Sequence, residues 1–257
     1  MLSGLDPSGG AGIQADIQAI TSLGAHPLPV LTCLTVQDTR NVYGAEAISA
    51  ELIRQQLDCL AEDTPIHAIK TGALGNAAVV EAVVAFITDQ QTKGHHYPMI
   101  VDPVIKAAGG GDLADDALVE AMKTRLFPLA EMITPNGEEL AQLGGTSQPG
   151  TAAANLLAGG CQSVLATGGH GTGIHIINTL YNHSPQPMTW ELERVGANEY
   201  HGTGCTLAAA IAAGRAAGLS PRAAIAQAQN YVHRTLLSAL TVGKGQRVPD
   251  RGIRWDA

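Results

Sequence analysis

The sequence predicts one α/β domain, residues 1–257, in which a mostly parallel sheet is covered by helices on both faces. Short runs rich in β-branched residues alternate with runs of helical periodicity along almost the whole chain, which is the pattern of parallel strands joined by helices. The composition agrees, with 45% hydrophobic and 15% charged residues and 30 glycines, because a sheet buried on both faces is built from small and aliphatic side chains. Neither a linker nor an internal repeat divides the chain, so a single domain is expected.

The first elements form a strand, a glycine-rich loop and a helix, at residues 1–4, 5–12 and 13–20. The next predicted strand, residues 29–36, leads into a polar loop at residues 37–41. Loops at the carboxyl ends of strands bind the ligands of open α/β sheets, so both loops are expected to face a ligand. The glycine loop matches neither GxGxxG nor GxxxxGKS, which argues against a dinucleotide site and a P-loop.

The remaining elements follow the same alternation. Ser49 is a suitable N-cap for a helix that runs to about residue 61. Further helices are predicted for residues 77–88, 115–125, 151–158 and 221–240, and for the alanine-rich run 207–213, whose first turn includes Cys205. A short helix is predicted to open at residues 135–139. Strands are predicted for residues 67–70, 99–101, 131–134 and 163–166, and an antiparallel pair for residues 174–181 and 189–195. The glycine-rich residues 107–112 are predicted to form a mobile lid.

Charge and cysteine usage exclude several classes of protein. The net charge is −8, and the sequence contains no run of basic residues. Both observations argue against a nucleic-acid-binding surface. No apolar stretch approaches the ~20 residues of a membrane span, and no signal peptide is recognised, so a cytoplasmic location is expected. The four cysteines lack CxxC spacing, which indicates neither a zinc site nor a disulfide framework.

Residues 201–206, HGTGCT, precede an alanine-rich run and predict an anion hole. Gly202 and Gly204 let the backbone approach a ligand, and the N–H groups at the start of the following helix favour an anion. Cys205 falls in the first helical turn, where the helix dipole is expected to lower the thiol pKa. A reactive thiol beside an anion hole indicates transfer of a charged group. A glycine cap beside a buried cysteine explains the hexapeptide alone equally well.

Two carboxylates follow predicted parallel strands. Asp102 comes directly after the strand at residues 99–101, and Glu139 follows the strand at residues 131–134 with Asn136 beside it. Parallel strands bring such residues to one edge of the sheet. One or two carboxylates completed by substrate phosphates and water suit Mg²⁺. The placement therefore predicts a magnesium site, although either acid alone is more often a helix cap or solvated.

Five motifs occur in order along the chain: GLDPSGGAGIQAD from residue 4, QDTRNV from residue 37, VDPV from residue 101, TPNGEE from residue 134 and HGTGCT from residue 201. Together they resemble the hydroxymethylpyrimidine/phosphomethylpyrimidine kinases of thiamine synthesis, within the ribokinase-like superfamily. The resemblance spans nearly the whole chain. Most sugar kinases of the superfamily have an aspartate where this chain has Cys205, so the cysteine favours the pyrimidine and pyridoxal branch.

The resemblance implies a ribokinase-like fold, ATP and Mg²⁺ as cofactors, a small pyrimidine as substrate, and a homodimer. The implied anion hole for the transferred phosphoryl group consists of Gly202, Thr203, Gly204 and Cys205, with Cys205 approaching the acceptor oxygen. The implied metal ligands are Asp102 and Glu139. The implied nucleotide-binding residues are Asn136, Thr167 and Gly169. The implied acceptor pocket is lined by Asp6, Ala11, Gln37 and Val104. The amide of Gln37 offers a donor beside an acceptor, which complements the edge of an aminopyrimidine.

The sequence departs from the family pattern at three positions. Ala73 stands where relatives often have a methionine, which predicts a roomier pocket. Ala108 and Thr167 each replace a common lysine, so phosphate neutralisation is expected from Mg²⁺, backbone amides, and Lys106 or Lys70. No chemical role is assigned to any histidine.

Three functions remain open at this point. The first is ATP-dependent phosphorylation of 4-amino-5-hydroxymethyl-2-methylpyrimidine, of its monophosphate, or of both. The second is pyridoxal kinase activity, because that branch also phosphorylates a hydroxymethyl group on a flat nitrogen ring. The third is a non-catalytic sensor of a pyrimidine or nucleotide, which the two missing lysines would permit.

Overall fold

The computed structural model describes residues 1–105, 114–169, 173–196 and 200–253, so the predicted lid lies outside the described residues. Over this part of the chain the strands form one nine-stranded sheet of order β3-β2-β1-β4-β5-β6-β7-β8-β9. The strands are β1 Leu2–Leu5, β2 Val30–Gln37, β3 Val42–Ala47, β4 Ile69–Thr71, β5 Met99–Val101, β6 Met132–Ile133, β7 Ser163–Ala166, β8 His175–Asn182 and β9 Met188–Glu193. Six neighbouring strands, from β2 through β1 and β4 to β7, pair in parallel. The predicted parallel α/β sheet is therefore confirmed.

Antiparallel strands flank the parallel core at both edges. β8 pairs with β7 and β9 pairs with β8, as the sequence predicts. At the other edge β3 pairs with β2, and no strand was predicted there. Most of β3 is half-exposed or exposed and it contains Gly44 and Glu46, so its sequence lacks both the alternation and the apolar content that mark a strand.

The helices cover the sheet on both faces. They are α1 Gly12–Ser22, α2 Ala50–Asp63, α3 Ala77–Thr92, α4 Asp116–Ala121, α5 Gly137–Gly144, α6 Pro149–Ala158, α7 Thr203–Ala216 and α8 Pro221–Leu237. Two buried clusters lie on opposite sides of β5, since Met99 and Val101 belong to one and Ile100 to the other. Helices α2 to α6 contribute to the first cluster, and α1, α7 and α8 to the second. The expected helix-covered sheet is thus confirmed.

Several boundaries differ from the sequence prediction. The predicted helix at residues 115–125 is α-helical only through α4 and continues as a π turn over Met122–Leu126. The helix predicted to end near residue 240 ends at Leu237. The predicted N-cap of α2 is confirmed, because the Ser49 side chain accepts a hydrogen bond from Leu52 N. Within the described ranges no helix combines the length and the apolar character that crossing a membrane requires.

Candidate active site

Loops at the carboxyl edge of the parallel strands carry most of the predicted site residues. Asp6 follows β1, Gln37 ends β2, Asp102 follows β5 and Thr167 follows β7. Because parallel strands end at one edge of a sheet, this topology places the four side chains on the same side of the molecule. The N-termini of α1 and α7 complete this edge.

The glycine-rich loop is folded around the carboxylate of Asp6. Its two oxygens accept hydrogen bonds from Ser8 N (2.8 Å) and Ala11 N (2.9 Å). Burial raises the pKa of Asp6, but hydrogen bonds from His201 and Ser8 outweigh burial and hold it below its ordinary value. Asp6 is therefore a carboxylate that fixes the loop at Ala11, the N-cap of α1.

His201 joins this loop to the predicted substrate-reading residue Gln37. Its Nε2 atom lies 2.7 Å from Asp6 Oδ2 and 3.0 Å from Gln37 Nε2. A carboxylate can only accept a hydrogen bond, so His201 Nε2–H donates to Asp6. The same nitrogen then cannot accept from the Gln37 NH2 group, and the Gln37 amide packs against the ring edge. Thr35 holds Gln37 from the other side, with its hydroxyl 3.1 Å from Gln37 Oε1. No role was expected for His201 from the sequence, and only its position beside the glycine motif could have indicated one.

A cavity of about 420 Å³ opens beside Gln37. It is lined by Pro7, Ser8, Gln37, Asp38, Thr39, Arg40, Val242, Gly243 and Lys244. Small-molecule sites commonly have volumes of about 300–1,000 Å³, so this cavity is large enough for a small acceptor. Of the four predicted acceptor residues, Gln37 is in its lining and Asp6, Ala11 and Val104 are not. The segment that carries Lys244 packs onto Thr39, whose hydroxyl accepts a hydrogen bond from Gly245 N (2.9 Å).

The predicted anion hole is the N-terminus of α7. Gly202 is the N-cap and has the left-handed backbone conformation, φ 84°, which favours glycine. A Cβ at Gly202 would collide with the carbonyl of Gly10, so the two glycine loops touch. A Cβ at the exposed Gly204 would come 4.0 Å from Asp102 Oδ2. The helix N-terminus and the carboxylate of Asp102 therefore face each other.

Cys205 lies in the first turn of α7 as predicted, but the predicted lowering of its thiol pKa is wrong. Burial and the negative charge of Asp102 raise the pKa of Cys205 to about 12, although Lys70 and a backbone hydrogen bond from Gly12 oppose the rise. The half-buried thiol hydrogen-bonds to the Asp102 carboxylate. The helix terminus lowers the pKa of the thiol by less than desolvation and the facing carboxylate together raise it. Cys205 is therefore a neutral thiol.

Glu139, predicted to bind a metal ion, has a structural role at the start of α5. It closes a capping box at the start of α5, because Glu139 Oε2 accepts from Asn136 N (2.9 Å) and Asn136 Oδ1 accepts from Glu139 N (2.9 Å). Its other oxygen lies 3.5 Å from Ile105 N. Burial and the nearby Asp102 raise the pKa of Glu139 to about 8. The two carboxylates thus repel each other across a buried space.

These two carboxylates fit a Mg²⁺ ion that waters and substrate phosphates would complete. A cation between Asp102 and Glu139 would relieve their repulsion, and oxygen ligands suit magnesium. Among the described residues no group of three or more His, Cys, Asp or Glu side chains is arranged to hold a metal ion. An ion bound with one or two carboxylates therefore matches this chain better than an all-protein cage.

Asn136 and Thr167, predicted on the nucleotide side, are brought together by a parallel β-bridge. Thr167 N donates to the Pro135 carbonyl (2.9 Å), which fixes the start of the glycine loop after β7. Gly169 is exposed, and its carbonyl accepts a hydrogen bond from Arg194 Nη1 (2.7 Å). Val104, predicted in the acceptor pocket, is half-buried and donates from its N–H to the Asp102 carbonyl (2.9 Å).

The cations near the site differ from those that the sequence suggested. Lys106 lies outside the described residues. Lys70 is 1% exposed and donates to both oxygens of Asp16 (2.9 and 2.8 Å), so its charge is already paired. Burial lowers the pKa of Lys70, but Asp16 and the other nearby anions outweigh burial and raise it. Arg251, which no motif marks in the sequence, is 2% exposed and reaches both glycine loops.

Sequence comparison finds close relatives along nearly the whole chain. The phosphomethylpyrimidine kinase family model matches residues 6–250. The hydroxymethylpyrimidine/phosphomethylpyrimidine kinase of Streptomyces coelicolor is 36% identical over 256 residues, covering 98% of this chain and 93% of that protein. The thiamine biosynthesis bifunctional protein ThiED of Geobacter sulfurreducens is 37% identical over 249 residues. That match covers 95% of this chain and 50% of the bifunctional protein, so the chain spans half the length of that relative.

Solved structures agree with the fold. The phosphomethylpyrimidine kinase of Clostridium difficile has a TM-score of 0.76 at 27% identity, covering 91% of this chain and 96% of that one. The ADP complex of Bacillus subtilis pyridoxal kinase has a TM-score of 0.86 at 27% identity, covering 97% and 95% of the two chains. The ribokinase-like fold is therefore confirmed, and the chain belongs to the phosphomethylpyrimidine kinase family.

Proposed function

We propose that the protein transfers the γ-phosphoryl group of ATP to 4-amino-5-hydroxymethyl-2-methylpyrimidine, to its monophosphate, or to both, in thiamine biosynthesis. The observation that carries this function is the close approach of Asp102 to the N-terminus of α7, where a Cβ at Gly204 would come 4.0 Å from Asp102 Oδ2. This approach brings a helix terminus suited to an anion beside a carboxylate suited to a metal ion. Relatives named hydroxymethylpyrimidine/phosphomethylpyrimidine kinase support the same reaction.

The chain supplies positioning and charge neutralisation, which are the main needs of phosphoryl transfer. The N–H groups of Thr203, Gly204 and Cys205 point from the free end of α7 and would hold the transferred group. The Cys205 sulfur would orient the acceptor oxygen while its own proton stays on the Asp102 side. Mg²⁺, held by Asp102 and Glu139, would neutralise the phosphate charges. Asn136, Thr167 and Gly169 would contact the nucleotide.

The acceptor ring is assigned to the cavity beside Gln37. Gln37 lines this cavity and lies between His201 and Thr35, so its amide is proposed to face the ring. Asp6, Ala11 and Val104 are not among the residues that line the cavity, and their contact with the acceptor stays a prediction from the resemblance. Incubating the protein with ATP, Mg²⁺ and each acceptor in turn, followed by mass analysis of the products, tests the assignment. A mass gain of one phosphoryl group on the pyrimidine is expected, whereas the absence of product from every acceptor would favour a sensor.

Pyridoxal kinase activity is a second candidate. The structure resembles the pyridoxal kinase of Bacillus subtilis with a TM-score of 0.86, against 0.76 for the phosphomethylpyrimidine kinase of Clostridium difficile. The small side chain of Ala73 leaves space that a larger ring could use. Pyridoxal belongs in the same product analysis, and a higher kcat/KM for pyridoxal than for the pyrimidine would reverse the order of the two functions.

Replacing Gln37 by leucine is expected to weaken pyrimidine binding and leave ATP binding nearly unchanged. Leucine leaves a ring donor and acceptor unpaired, at a cost of about 1–3 kcal/mol each, whereas the nucleotide is assigned near Asn136 and Thr167. Separate titrations with the pyrimidine and with an ATP analogue measure the two affinities.

Gln55→Leu, the same substitution at an exposed glutamine of α2, is the matched control and should change neither affinity. Equal loss of both ligands in Gln37→Leu would mean a damaged fold. Unchanged pyrimidine binding would mean that the Gln37 amide does not hydrogen-bond to the ring.

We propose that the protein is a cytoplasmic homodimer. Leu34 and Val36 are 43% and 66% exposed and lie two residues apart, on one face of β2 near the edge of the sheet. Such a face is suited to pairing with a second copy. The cysteines Cys33, Cys59, Cys161 and Cys205 are free thiols, which supports a reducing compartment.

Val36→Asp is expected to raise the dimer dissociation constant by at least about tenfold, because a carboxylate would be desolvated in the interface. Light scattering coupled to size exclusion measures the mass across a dilution series. Ile177→Asp, at an exposed position on β8, controls for added charge. A wild-type protein that stays monomeric at high concentration would refute the dimer.

A further inference from the structure

Arg251 is a buried cation whose side chain contacts both glycine loops of the site. Its Nη1 lies 3.4 Å from the carbonyl oxygen of Gly9, and its Nη2 contacts the carbonyl of Gly10 and lies 3.4 Å from that of Gly202. Its Nε donates to the Thr206 hydroxyl (2.8 Å) in the first turns of α7. One planar guanidinium therefore links the loop that precedes α1 to the N-terminus of α7.

All these partners are uncharged. The fifth contact, from Nη1 to Gln18 Oε1 (3.5 Å), is also to a neutral group. Within the described residues Arg251 has no carboxylate at ion-pair distance, in contrast to Lys70, which Asp16 neutralises. A guanidinium stays protonated in proteins, so Arg251 places a positive charge directly behind the anion hole, and Asp16 and Asp6 attract this charge from beyond ion-pair distance.

The geometry of the peptide group connects this charge to the reacting group. A peptide is planar and trans, so the carbonyl of Gly202 and the N–H of Thr203 point in opposite directions. The Gly202 carbonyl accepts hydrogen bonds from Thr206 N (3.0 Å) and from the Thr206 hydroxyl (2.7 Å). Arg251 acts on it mainly through that hydroxyl, which accepts from Arg251 Nε (2.8 Å). The N–H on the other side of the peptide is one of those assigned to the transferred phosphoryl group. The same relation holds between the Gly10 carbonyl and the N–H of Ala11, which is bonded to Asp6.

We propose that Arg251 is a positioning residue for phosphoryl transfer. It aims the N–H of Thr203 into the anion hole, locks the acceptor loop at Gly10 against α7, and adds positive charge where the transferred group gains negative charge. This inference rests on the proposed function for the place of the phosphoryl group. It requires the forked donors of arginine, since one ammonium group cannot bind Gly10 and Gly202 in the same way.

The test compares Arg251→Met, Arg251→Lys and the control Arg247→Met. Arg247 lies in the same segment, and its guanidinium contacts the carbonyl of Ala239, away from the glycine loops. Removal of one anion-hole donor costs about 10²–10³-fold in kcat, so kcat is expected to fall about 10²-fold in Arg251→Met and about 10-fold in Arg251→Lys. Arg247→Met should stay within twofold of the wild type.

A second measurement is independent of the acceptor. Orthovanadate, added with ADP and Mg²⁺, imitates the transferred group, and its effect on Tm is followed without turnover. The Tm increase is expected to be less than half as large in Arg251→Met as in the wild type and in Arg247→Met. If the pyrimidine were the wrong acceptor, turnover would be absent in every protein while this vanadate difference would persist.

Four results would overturn the proposal. The first is full kcat in a folded Arg251→Met, and the second is full kcat in Arg251→Lys, which would exclude a need for forked donors. The third is equal vanadate stabilisation of Arg251→Met and the wild type. The fourth is an equal loss of kcat in Arg251→Met and Arg247→Met, which would assign the effect to the stability of the segment. Arg251→Lys keeps the test decisive if Arg251→Met does not fold.

Discussion

Cys205→Ala is expected to lower kcat by about 10²–10⁴-fold, the range of general-base and positioning groups, and to leave the fold intact. The thiol interacts with the Asp102 carboxylate and with the backbone of Gly12, and the acceptor oxygen and the phosphoryl group are proposed to meet beside it. The thiol is neutral, so we expect the loss to come from the orientation of the acceptor oxygen rather than from a standing thiolate. Steady-state kinetics and thermal unfolding, measured on the same preparation, check both parts.

Two further variants show whether the loss comes from the hydrogen-bonding group at position 205 or from the removal of a thiol in general. Cys205→Ser keeps a group that can donate to Asp102, and it should retain more turnover than alanine. Cys59→Ala removes an exposed thiol on α2 and should leave kcat unchanged. Wild-type turnover in Cys205→Ala would reduce Cys205 to a structural residue.

Asp102→Asn is expected to raise the Mg²⁺ concentration for half-maximal activity by at least about tenfold, since changes around a metal site typically cost 10–100-fold in affinity. The amide keeps the shape of the side chain and loses the charge that faces Glu139. Pyrimidine affinity should change by less than about twofold, because the ring is assigned to the Gln37 cavity. Activity across a Mg²⁺ titration and direct binding of the pyrimidine separate the two effects.

Asp38→Asn is the matched control for the Asp102 variant, because Asp38 is a carboxylate of the acceptor loop that pairs with Arg40 (3.0 Å). Its Mg²⁺ requirement should equal that of the wild type. If instead Asp102→Asn kept the Mg²⁺ requirement and lost pyrimidine affinity, the metal and acceptor ends of the site would have been assigned in reverse.

The sequence predicted the parts of the site that depend on local pattern. The glycines of the two loops and the acids after β5 and β6 follow from strand and helix periodicity, and the sheet places them at one edge as expected. The side chain of His201 and the guanidinium of Arg251 could not be predicted in this way. Their roles arise from contacts with residues that are far away in the sequence: His201 contacts Asp6 across 195 residues, and Arg251 contacts Gly10 across 241. Strand and helix periodicity predicts local structure and cannot predict such contacts.

The prediction that the thiol pKa of Cys205 is lowered failed for a related reason. Its place in the first turn of α7 is a local property, and it was predicted correctly. Its pKa depends on burial and on Asp102, which the fold brings from a strand about one hundred residues earlier. The edge strand β3 was missed because half-exposed residues need little hydrophobic pattern when a neighbouring strand supplies their hydrogen bonds.

The link between Gly10 and Arg251 also sets an order of events during protein synthesis. At about 5–20 residues per second, a ribosome adds Arg251 roughly 12–50 s after Gly10, because 241 residues separate them. β1, β2 and β4 can pair long before that moment, so a nascent chain can hold a folded half-sheet whose glycine loop is still unclamped. We expect nascent chains released before residue 251 to fold in part and to transfer phosphate at least about 10²-fold more slowly than the full chain, as Arg251→Met does.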